Sequence, residues 1–512
     1  MNSKELQCKL WTTGDTWMEI NPYEARKFSD KRFYSIRRSN GRTLVTSKVI
    51  DRMETEIARK IIEHLHSPVK HLVNTGKVDE LIKEYEKLEG ERLNIDFKFS
   101  FYQAEAIRKA AKTNLMVLTG GPGTGKTCVV KGIVYVLEHI MDNPEILFTA
   151  PTGKASRRME ESIGRSATTV QKRMHLTTMN TPPTMIHGDV IIVDEISMLD
   201  EPTMDALVCS LCEGIKVIFV GDTDQLPSVG FGSTLRDLIS SAVVPVVKLE
   251  APQRQKAGSN IYENICTIRK GFTFLTEGDD FKIIPADDKT GQKLLVDTYL
   301  EKVKEYGVDQ TVVLTPYRRK GGTCANVIND LIQKAVNSSS KSVKATIYED
   351  IDSEAPQGSS RDVIFAIGDP VMQLKNRNEV SNGDVGKIID VSEYGVTVDY
   401  GTCEVFYNAT ELSQLNLAYA MSVHKSQGSE YKCVITCALP EHADLISRNL
   451  VYTAVTRAKG ICIMVCDMDV IKEGLSREAA YERTTFLSEK LEFEEARFNL
   501  LVSAFSFSDK IA

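Results

Sequence analysis

A lysine and a threonine close a run of glycines in Gly120-Gly-Pro-Gly-Thr-Gly125-Lys126-Thr127. The pattern G-x-x-x-x-G-K-[ST] fixes four positions, and chance supplies it in only about one chain in fifty of this length. Glycines let successive backbone N–H groups curl around phosphate oxygens. A helix starting at the lysine adds its dipole. Gly121, Pro122, Gly123, Thr124 and Gly125 would form the cradle. Lys126 would place its charge on the β and γ phosphates, and the Thr127 hydroxyl would reach Mg²⁺. The chemistry implied is binding and hydrolysis of a nucleoside triphosphate such as ATP. The alternative is a glycine-rich turn that binds nothing. Against it stand the strand-like Leu115–Thr119 before the loop and the helical spacing of Val129, Val130, Ile133, Val134 and Leu137 after it.

Two further segments supply polar groups where such a fold would use them. Val190-Ile-Ile-Val193-Asp194-Glu195 is an apolar run ending in two carboxylates. An α/β sheet does its chemistry at the carboxyl ends of its strands. Asp194 would hold Mg²⁺, directly or through water, and Glu195 would orient and deprotonate an attacking water. Taken alone, the pair reads equally as a helix cap. Lys216-Val-Ile-Phe-Val220-Gly221-Asp222-Thr-Asp-Gln225-Leu-Pro227 is another run that ends in a polar loop. Gln225 could sense the γ-phosphate there, or the loop could be an exposed Gly-Asp turn.

The elements that must carry these groups follow from apolar spacing. Strand-like runs at Leu115–Thr119, Ile146–Ala150, Val190–Val193, Val217–Val220 and Val243–Val247 alternate with helical segments. That is the signature of a parallel sheet wrapped by helices. The pattern returns at Thr311–Leu314, Val434–Cys437 and Ile461–Val465. Between these, 343–410 holds short β-like pieces punctuated by Gly383, Gly386, Gly395 and Gly401, which predicts a small inserted β-barrel. Ahead of the loop, Val49, Ile50, Met53, Ile57, Ile61, Ile62 and Leu65 predict an amphipathic helix over Ser47–His66, with a second helix near Val78–Leu88. The expected division is an accessory, mainly helical block over 1–97 and a first α/β domain over 98–250. A second α/β domain follows over 251–342 and 411–512, with the insert at 343–410.

Composition narrows the class. The 512 residues are 42% hydrophobic and 26% charged, an ordinary globular balance. No apolar run approaches the ~18 residues of a membrane span, and the first residues lack the apolar core of a signal peptide, so the expected address is cytoplasmic. A net charge of −7 excludes a protein held on nucleic acid by bulk charge, but not a local basic groove. The cysteines number 11, and Cys209-x-x-Cys212 has no second pair at zinc spacing, so it reads as two small side chains in a helix.

In this order, the segments resemble the motor of superfamily 1 helicases, most closely its RecD-like branch. The resemblance runs from about 98 to 490. It includes Gln103 in Phe101-Tyr-Gln-Ala, Ala150-Pro-Thr-Gly-Lys154-Ala-Ser, Ala167-Thr-Thr169-Val and Gly221-Asp-Thr-Asp-Gln-Leu-Pro-Ser-Val-Gly230. It continues through Arg254-Gln255, Leu314-Thr-Pro-Tyr-Arg318, Gly368-Asp-Pro-Val-Met-Gln373, Asn382-Gly-Asp-Val-Gly386, His424-Lys-Ser-Gln-Gly-Ser-Glu430 and Tyr452-Thr-Ala-Val-Thr-Arg-Ala458.

The resemblance implies two RecA-like motor domains and 5′→3′ unwinding of DNA from a single-stranded tail. Gln103 would recognise adenine, Glu430 would contact the ribose, and Arg254 would be an arginine finger. Pro151, Thr152, Lys154, Thr169, His424, Lys425 and Ser426 would contact the strand. Two departures stand out. Gln253 replaces the aromatic residue that often precedes the finger, and the pin-like segment 172–188, which would split the duplex, is short. Its Met174, Met179, Pro182, Pro183 and Met185 would be apolar wedges if it forms a hairpin, and otherwise part of a loop.

The physical logic stands beside the resemblance. The second domain has no phosphate loop and brings Arg254 and Arg457 instead, which neutralise the transferring phosphoryl only when the domains close. Lysines and hydroxyls suit phosphates and carry no base code, so sequence-independent binding is expected. Arg157 and Arg158 read equally as part of that surface or as a solvated helix face, and His424 reads as a contact or as a core residue. The leading expectation is a monomeric ATP-driven helicase on single-stranded and forked DNA, of use in replication, recombination or repair. The rivals are a translocase that does not unwind, an RNA-directed helicase and an ATP-gated scaffold.

Overall fold

Val, Ile and Leu at consecutive positions leave a strand no polar face, so each such strand must be covered on both sides. In the computed structural model, which describes residues 3–68, 75–176, 182–250, 258–338, 340–348, 360–377, 379–477 and 483–508, two sheets are built this way. The first orders its strands Ala167–Thr169, Ile146–Ala150, Val190–Val193, Lys216–Gly221, Leu115–Gly120 and Val246–Leu249, all parallel. Met116 and Leu118 pack under helices Phe101–Lys112 and Lys126–Ile140, while Leu115 and Val117 face the opposite core with Leu207 and Ile57. The phosphate loop lies at the carboxyl end of the strand Leu115–Gly120, next to that of Lys216–Gly221.

The second sheet orders Phe281–Pro285, Ala458–Cys466, Tyr431–Ala438, Thr311–Thr315 and Ala420–Ser422, again all parallel. The two doubly covered parallel sheets are RecA-like in arrangement. Several strands were legible only in part. Phe281–Pro285, Ala167–Thr169 and Ala420–Ser422 are edge strands of five residues or fewer, too short for a periodic signal.

The insert departs from the expected barrel. Its five antiparallel strands run Glu404–Asn408, Gly395–Asp399, Val385–Ser392, Pro370–Gln373, Leu415–Leu417. Among the described residues the two outer strands do not pair with each other, so the pairing forms an open sheet. A separate antiparallel ribbon, Ser342–Tyr348 with Ser360–Ala366, shares its core.

The N-terminal block carries a small sheet that its helical periodicity does not announce. Alongside helices Ser3–Thr13, Lys48–His66 and Val78–Leu93 it carries a three-stranded antiparallel sheet, Met18–Ile20, Arg42–Ser47 and Tyr34–Ser39. Its hairpin turns at Asn40-Gly41, both with positive φ, a dipeptide that favours a two-residue hairpin turn. The end of the chain is also redistributed. Helix Leu487–Ser508, assigned by sequence to the second domain, packs on Lys48–His66 and Thr234–Ser240, and Leu487 and Leu491 join the first domain's core. No helix among the described residues is long and apolar enough to cross a membrane.

Candidate functional site

One cleft between the two sheets is lined by Gly121, Pro122, Gly123, Gly125, Lys126 and Thr127 from the phosphate loop. Asp194, Glu195 and Gln225 enter from the neighbouring strand ends, and Gly428, Glu430, Thr456 and Arg457 from the second domain. Gly125 has φ +85°, and a Cβ there would lie 2.6 Å from Gln103 Nε2, so only glycine fits. Thr124 Oγ1 donates to the Gly121 carbonyl at 2.9 Å and pins the loop. Lys126 Nζ donates to the Gly120 and Gly121 carbonyls.

The carboxylates sit as the strand end dictates. Asp194 accepts from the Glu195 N–H at 2.8 Å. Burial, reinforced by the charge of Glu195, pushes Asp194 up to about 6. A buried, poorly solvated carboxylate beside a second one suits a divalent cation, which would remove that penalty. Thr127 and Asp194 therefore fit Mg²⁺. Glu195 has φ +51°, in the left-handed region. A non-glycine residue held there has a strained backbone, and this one lines the cleft.

Arg457 is buried and its guanidinium is spread over second-domain oxygens. It donates to the Thr453 carbonyl at 3.0 Å, the Ser429 carbonyl at 3.3 Å and Thr456 Oγ1 at 3.0 Å. Burial presses its pKa down, and Glu195 opposes that. Arg254 lies outside the described residues. A cation that the sequence left undecided takes a place in the cleft: Arg158, on helix Gly153–Ile163, reaches across to Glu430. Lys459 holds the other oxygen of Glu430. Burial pushes Glu430 up, but Arg158 and Lys459 outweigh it and hold its pKa below the usual range.

Gln225 lines the cleft, and its Nε2 lies 3.4 Å from Asp222 Oδ2, which also accepts from Tyr452 OH at 2.9 Å. Its loop is the seam of the two domains. Thr453 Oγ1 accepts from the Leu226 N–H, Asn449 donates to the Asp224 and Gln225 carbonyls, Gln427 donates to the Leu226 carbonyl, and Arg269 pairs with Asp224 at 2.7 Å. Arg269 and Tyr452 both lie against Gly121, within 3.3 Å of where its Cβ would be. Sequence reasoning missed Arg269, which has no motif around it.

Gln103 does not line the cleft. Its Oε1 accepts from the Ser100 N–H at 2.9 Å in a capping box, and its Nε2 donates to the Thr124 carbonyl at 3.0 Å. In this arrangement it braces the loop from beneath.

A separate groove is lined by Pro151, Thr152, Lys154, Thr169, Met198 and Val229 of the first domain. His424, Lys425 and Gln427 of the second domain, and Asn376, Asn382 and Gly383 of the insert, complete it. Thr152 caps helix Gly153–Ile163 by accepting from the Ala155 N–H, and Thr169 caps Val170–Arg173 by accepting from the Lys172 N–H. In these caps each hydroxyl acts as acceptor, which leaves its own proton available for donation. Lys154 Nζ sits over the Tyr431 ring at 5.4 Å, and Lys425 Nζ donates to Asn382 Oδ1 at 3.0 Å. His424 is pulled down to about 4, chiefly by burial and then by Arg483 and Lys425, so it is neutral at pH 7.

Ser426 does not belong to the groove. It is fully buried, and its Oγ donates to the Val423 carbonyl at 2.7 Å to close a turn. Of the pin-like segment 172–188, residues 177–181, Met179 included, lie outside the described residues. Met174 is buried in the first core and is no tip, while Met185 is exposed.

A family described as an AAA domain matches residues 98–278, and one described as a UvrD-like helicase C-terminal domain matches 417–465. The ATP-dependent RecD2 DNA helicase of Deinococcus radiodurans is 34% identical over 367 residues, 70% of this chain and 47% of that relative. The chain thus spans about half the length of that protein. The RecBCD enzyme subunit RecD of Haemophilus influenzae is 27% identical, with 73% of this chain and 70% of that one covered. A crystal structure of a Bacteroides Pif1 helicase with ADP-AlF3 and ssDNA aligns at a TM-score of 0.47 and 19% identity, over 74% of this chain and 94% of that one.

Proposed function

We propose that this chain, similar in sequence to RecD-like superfamily 1 helicases, hydrolyses ATP between two motor domains to move 5′→3′ along single-stranded DNA and unwind duplex at a fork. One observation carries the reading. The phosphate loop, Asp194 and Glu195 from one domain share a single cleft with Glu430 and Arg457 from the other, and the groove crosses the same seam.

The residues divide the work. Lys126 and the loop N–H groups bind the phosphates, and Glu195 takes a proton from the attacking water. Mg²⁺ held by Thr127 and Asp194 would offset charge on the phosphates. Arg457, joined by Arg254, neutralises the transferring phosphoryl only in the closed state, which ties hydrolysis to closure. Gln225 reports the γ-phosphate to the seam. Glu430 bounds the nucleoside end, and Gln103 braces the phosphate loop from beneath. Pro151, Thr152, Lys154, Thr169, His424 and Lys425 hold the strand by its backbone, so each closure draws it along. The motors are 98–250 and 251–342 with the strands of 420–477, and 343–417 is an insert that overhangs the groove. The polarity rests on the RecD-like resemblance. The short stretch between Thr169 and Asp189 supports a second reading, a translocase that moves without efficient strand separation.

Two partial duplexes, one with a 5′ tail and one with a 3′ tail, test this at saturating ATP and Mg²⁺. Opening of the 5′-tailed substrate alone is expected. Opening of the 3′-tailed substrate alone overturns the polarity. If neither opens while single strands stimulate hydrolysis, the second reading holds. Stimulation by RNA and not DNA would make the substrate RNA.

A further inference from the structure

The loop that carries Gln225 does not end in the cleft. Four residues on, Val229 is 74% exposed and lines the strand groove. The stretch from Gln225 to Val229 is therefore a short beam between the two sites. Its near end is held by second-domain side chains, Thr453, Asn449 and Gln427. Its far end is held by one residue from a distant part of the sequence. Arg483 Nη1 donates to Ser228 Oγ at 3.1 Å and to the Gly230 and Gly232 carbonyls at 2.7 Å each, and its Nη2 donates to the Ser228 carbonyl at 2.6 Å.

The surroundings are shaped for this grip. Gly232 has φ +98°, and a Cβ on it would lie 2.4 Å from Glu201, so the carbonyl turns to the guanidinium only because the residue is glycine. Gly230 is backed as closely by Asp200, and Gly14 of the N-terminal block rests on Arg483 itself. The segment is fixed in turn. Arg236 donates to the Arg483 carbonyl at 2.8 Å, and the Thr484 N–H donates to Asp15 at 2.7 Å. Charged donors on carbonyls are among the stronger hydrogen bonds, and a planar fork can serve several at fixed angles, which an ammonium cannot.

We propose that Arg483 is a positioning residue that couples strand binding to ATP hydrolysis: it fixes the far end of the Gln225–Val229 beam, so that a strand seated against Val229 sets the position of Gln225 in the cleft. Neither substrate touches Arg483. The inference rests on the helicase reading of the two sites. It also gives the C-terminal segment, together with the N-terminal block it is tied to, a role in the motor.

The test is ATP hydrolysis by the full chain, titrated with oligo(dT), for the unaltered protein, R483A and R483K, with melting temperatures recorded. For R483A the stimulation of hydrolysis by saturating oligo(dT) should fall at least about tenfold while the rate without oligo(dT) stays within about threefold. R483K should lie between, because one ammonium reaches only part of the carbonyl set. A purely structural role would instead lower the rates with and without oligo(dT) alike, in step with the folded fraction, and that overturns the proposal. If R483A melts below the assay temperature, R483K decides by the same criterion. No stimulation of the unaltered protein by oligo(dT) would overturn the helicase reading and this inference with it. Stimulation that is identical in all three proteins overturns the inference alone.

Discussion

The nucleotide cleft and the strand groove lie on the same domain seam and are built by opposite electrostatics. In the cleft, charge is dense, with Arg457 buried at its centre. Asp194 and Glu195 face Arg457, while Arg158, Glu430 and Lys459 form a chain across the domains. In the groove, charge is sparse. His424 is neutral, burial and Arg318 depress Lys425, and apart from Lys154 the remaining polar groups are capping hydroxyls and amides. A site that must stabilise developing charge benefits from preorganised ions in low dielectric. A site that must hold a strand and release it every cycle benefits from contacts that are individually weak.

The largest effect should come from the cleft alone. Lys126→Ala should reduce hydrolysis by at least about a thousandfold, since a phosphate-directed charge is lost, with oligo(dT) binding largely kept. Equal loss of binding in a filter or anisotropy assay would erase the distinction between the two sites. Arg457→Ala should lower kcat by about a hundredfold or more and leave the KM for ATP within about threefold. An unchanged kcat would remove Arg457 from the chemistry.

Next comes the bridge. Arg158→Ala and Glu430→Ala should each impair hydrolysis, but the double variant should be little worse than either. The coupling would be about 1 kcal/mol in a double-mutant cycle, as for groups in direct contact. Additive losses would mean that the bridge forms no part of the working cleft.

In the groove, Lys425→Ala should reduce the slope of log affinity against log salt by about one, the signature of one lost phosphate contact. His424 titrates near 4, so oligo(dT) affinity should show no inflection near pH 6.5. An inflection there that vanishes in His424→Ala would place a charged imidazole on the strand and narrow the contrast.

The smallest effect lies away from both sites. Asp237 is raised to about 6, mainly by burial, and its neighbour Glu201 is raised too. A carboxyl whose folded pKa exceeds its unfolded value of ~3.9 binds more protons when folded. Its contribution to stability is full below about 4 and is lost as pH rises through about 6. Asp237→Asn should therefore gain melting temperature relative to the unaltered protein at pH 8 and not at pH 4. A gain of the same size at both values would assign the effect to packing.

How much of this was legible depends on how local the cause is. The phosphate loop could be read because its glycines, lysine and threonine are consecutive and flanked by a strand and a helix. Asp194 and Glu195 could be read because a strand end projects them. Helix Lys48–His66 matched its expected span to one residue because its apolar spacing spans five turns. The hairpin at Asn40-Gly41 was equally readable and was passed over in favour of the helices around it. Ser426 was misplaced because a motif fixes which residues are near the strand, not which way each side chain turns.

By itself the sequence determined the chemistry of the phosphate loop, the alternation that makes two parallel sheets, and the candidates for the cleft and the groove. Those follow from composition and period within a few turns of chain. Only the tertiary structure decided that Arg158 meets Glu430, that Arg269 leans on Gly121, that Gln103 supports the loop, and that Arg483 grips the beam between the sites. These partners lie far apart in sequence, from 21 positions for Gln103 and Thr124 to 272 for Arg158 and Glu430. Pairing over such distances is set by how the domains pack, and no local pattern in the chain encodes it.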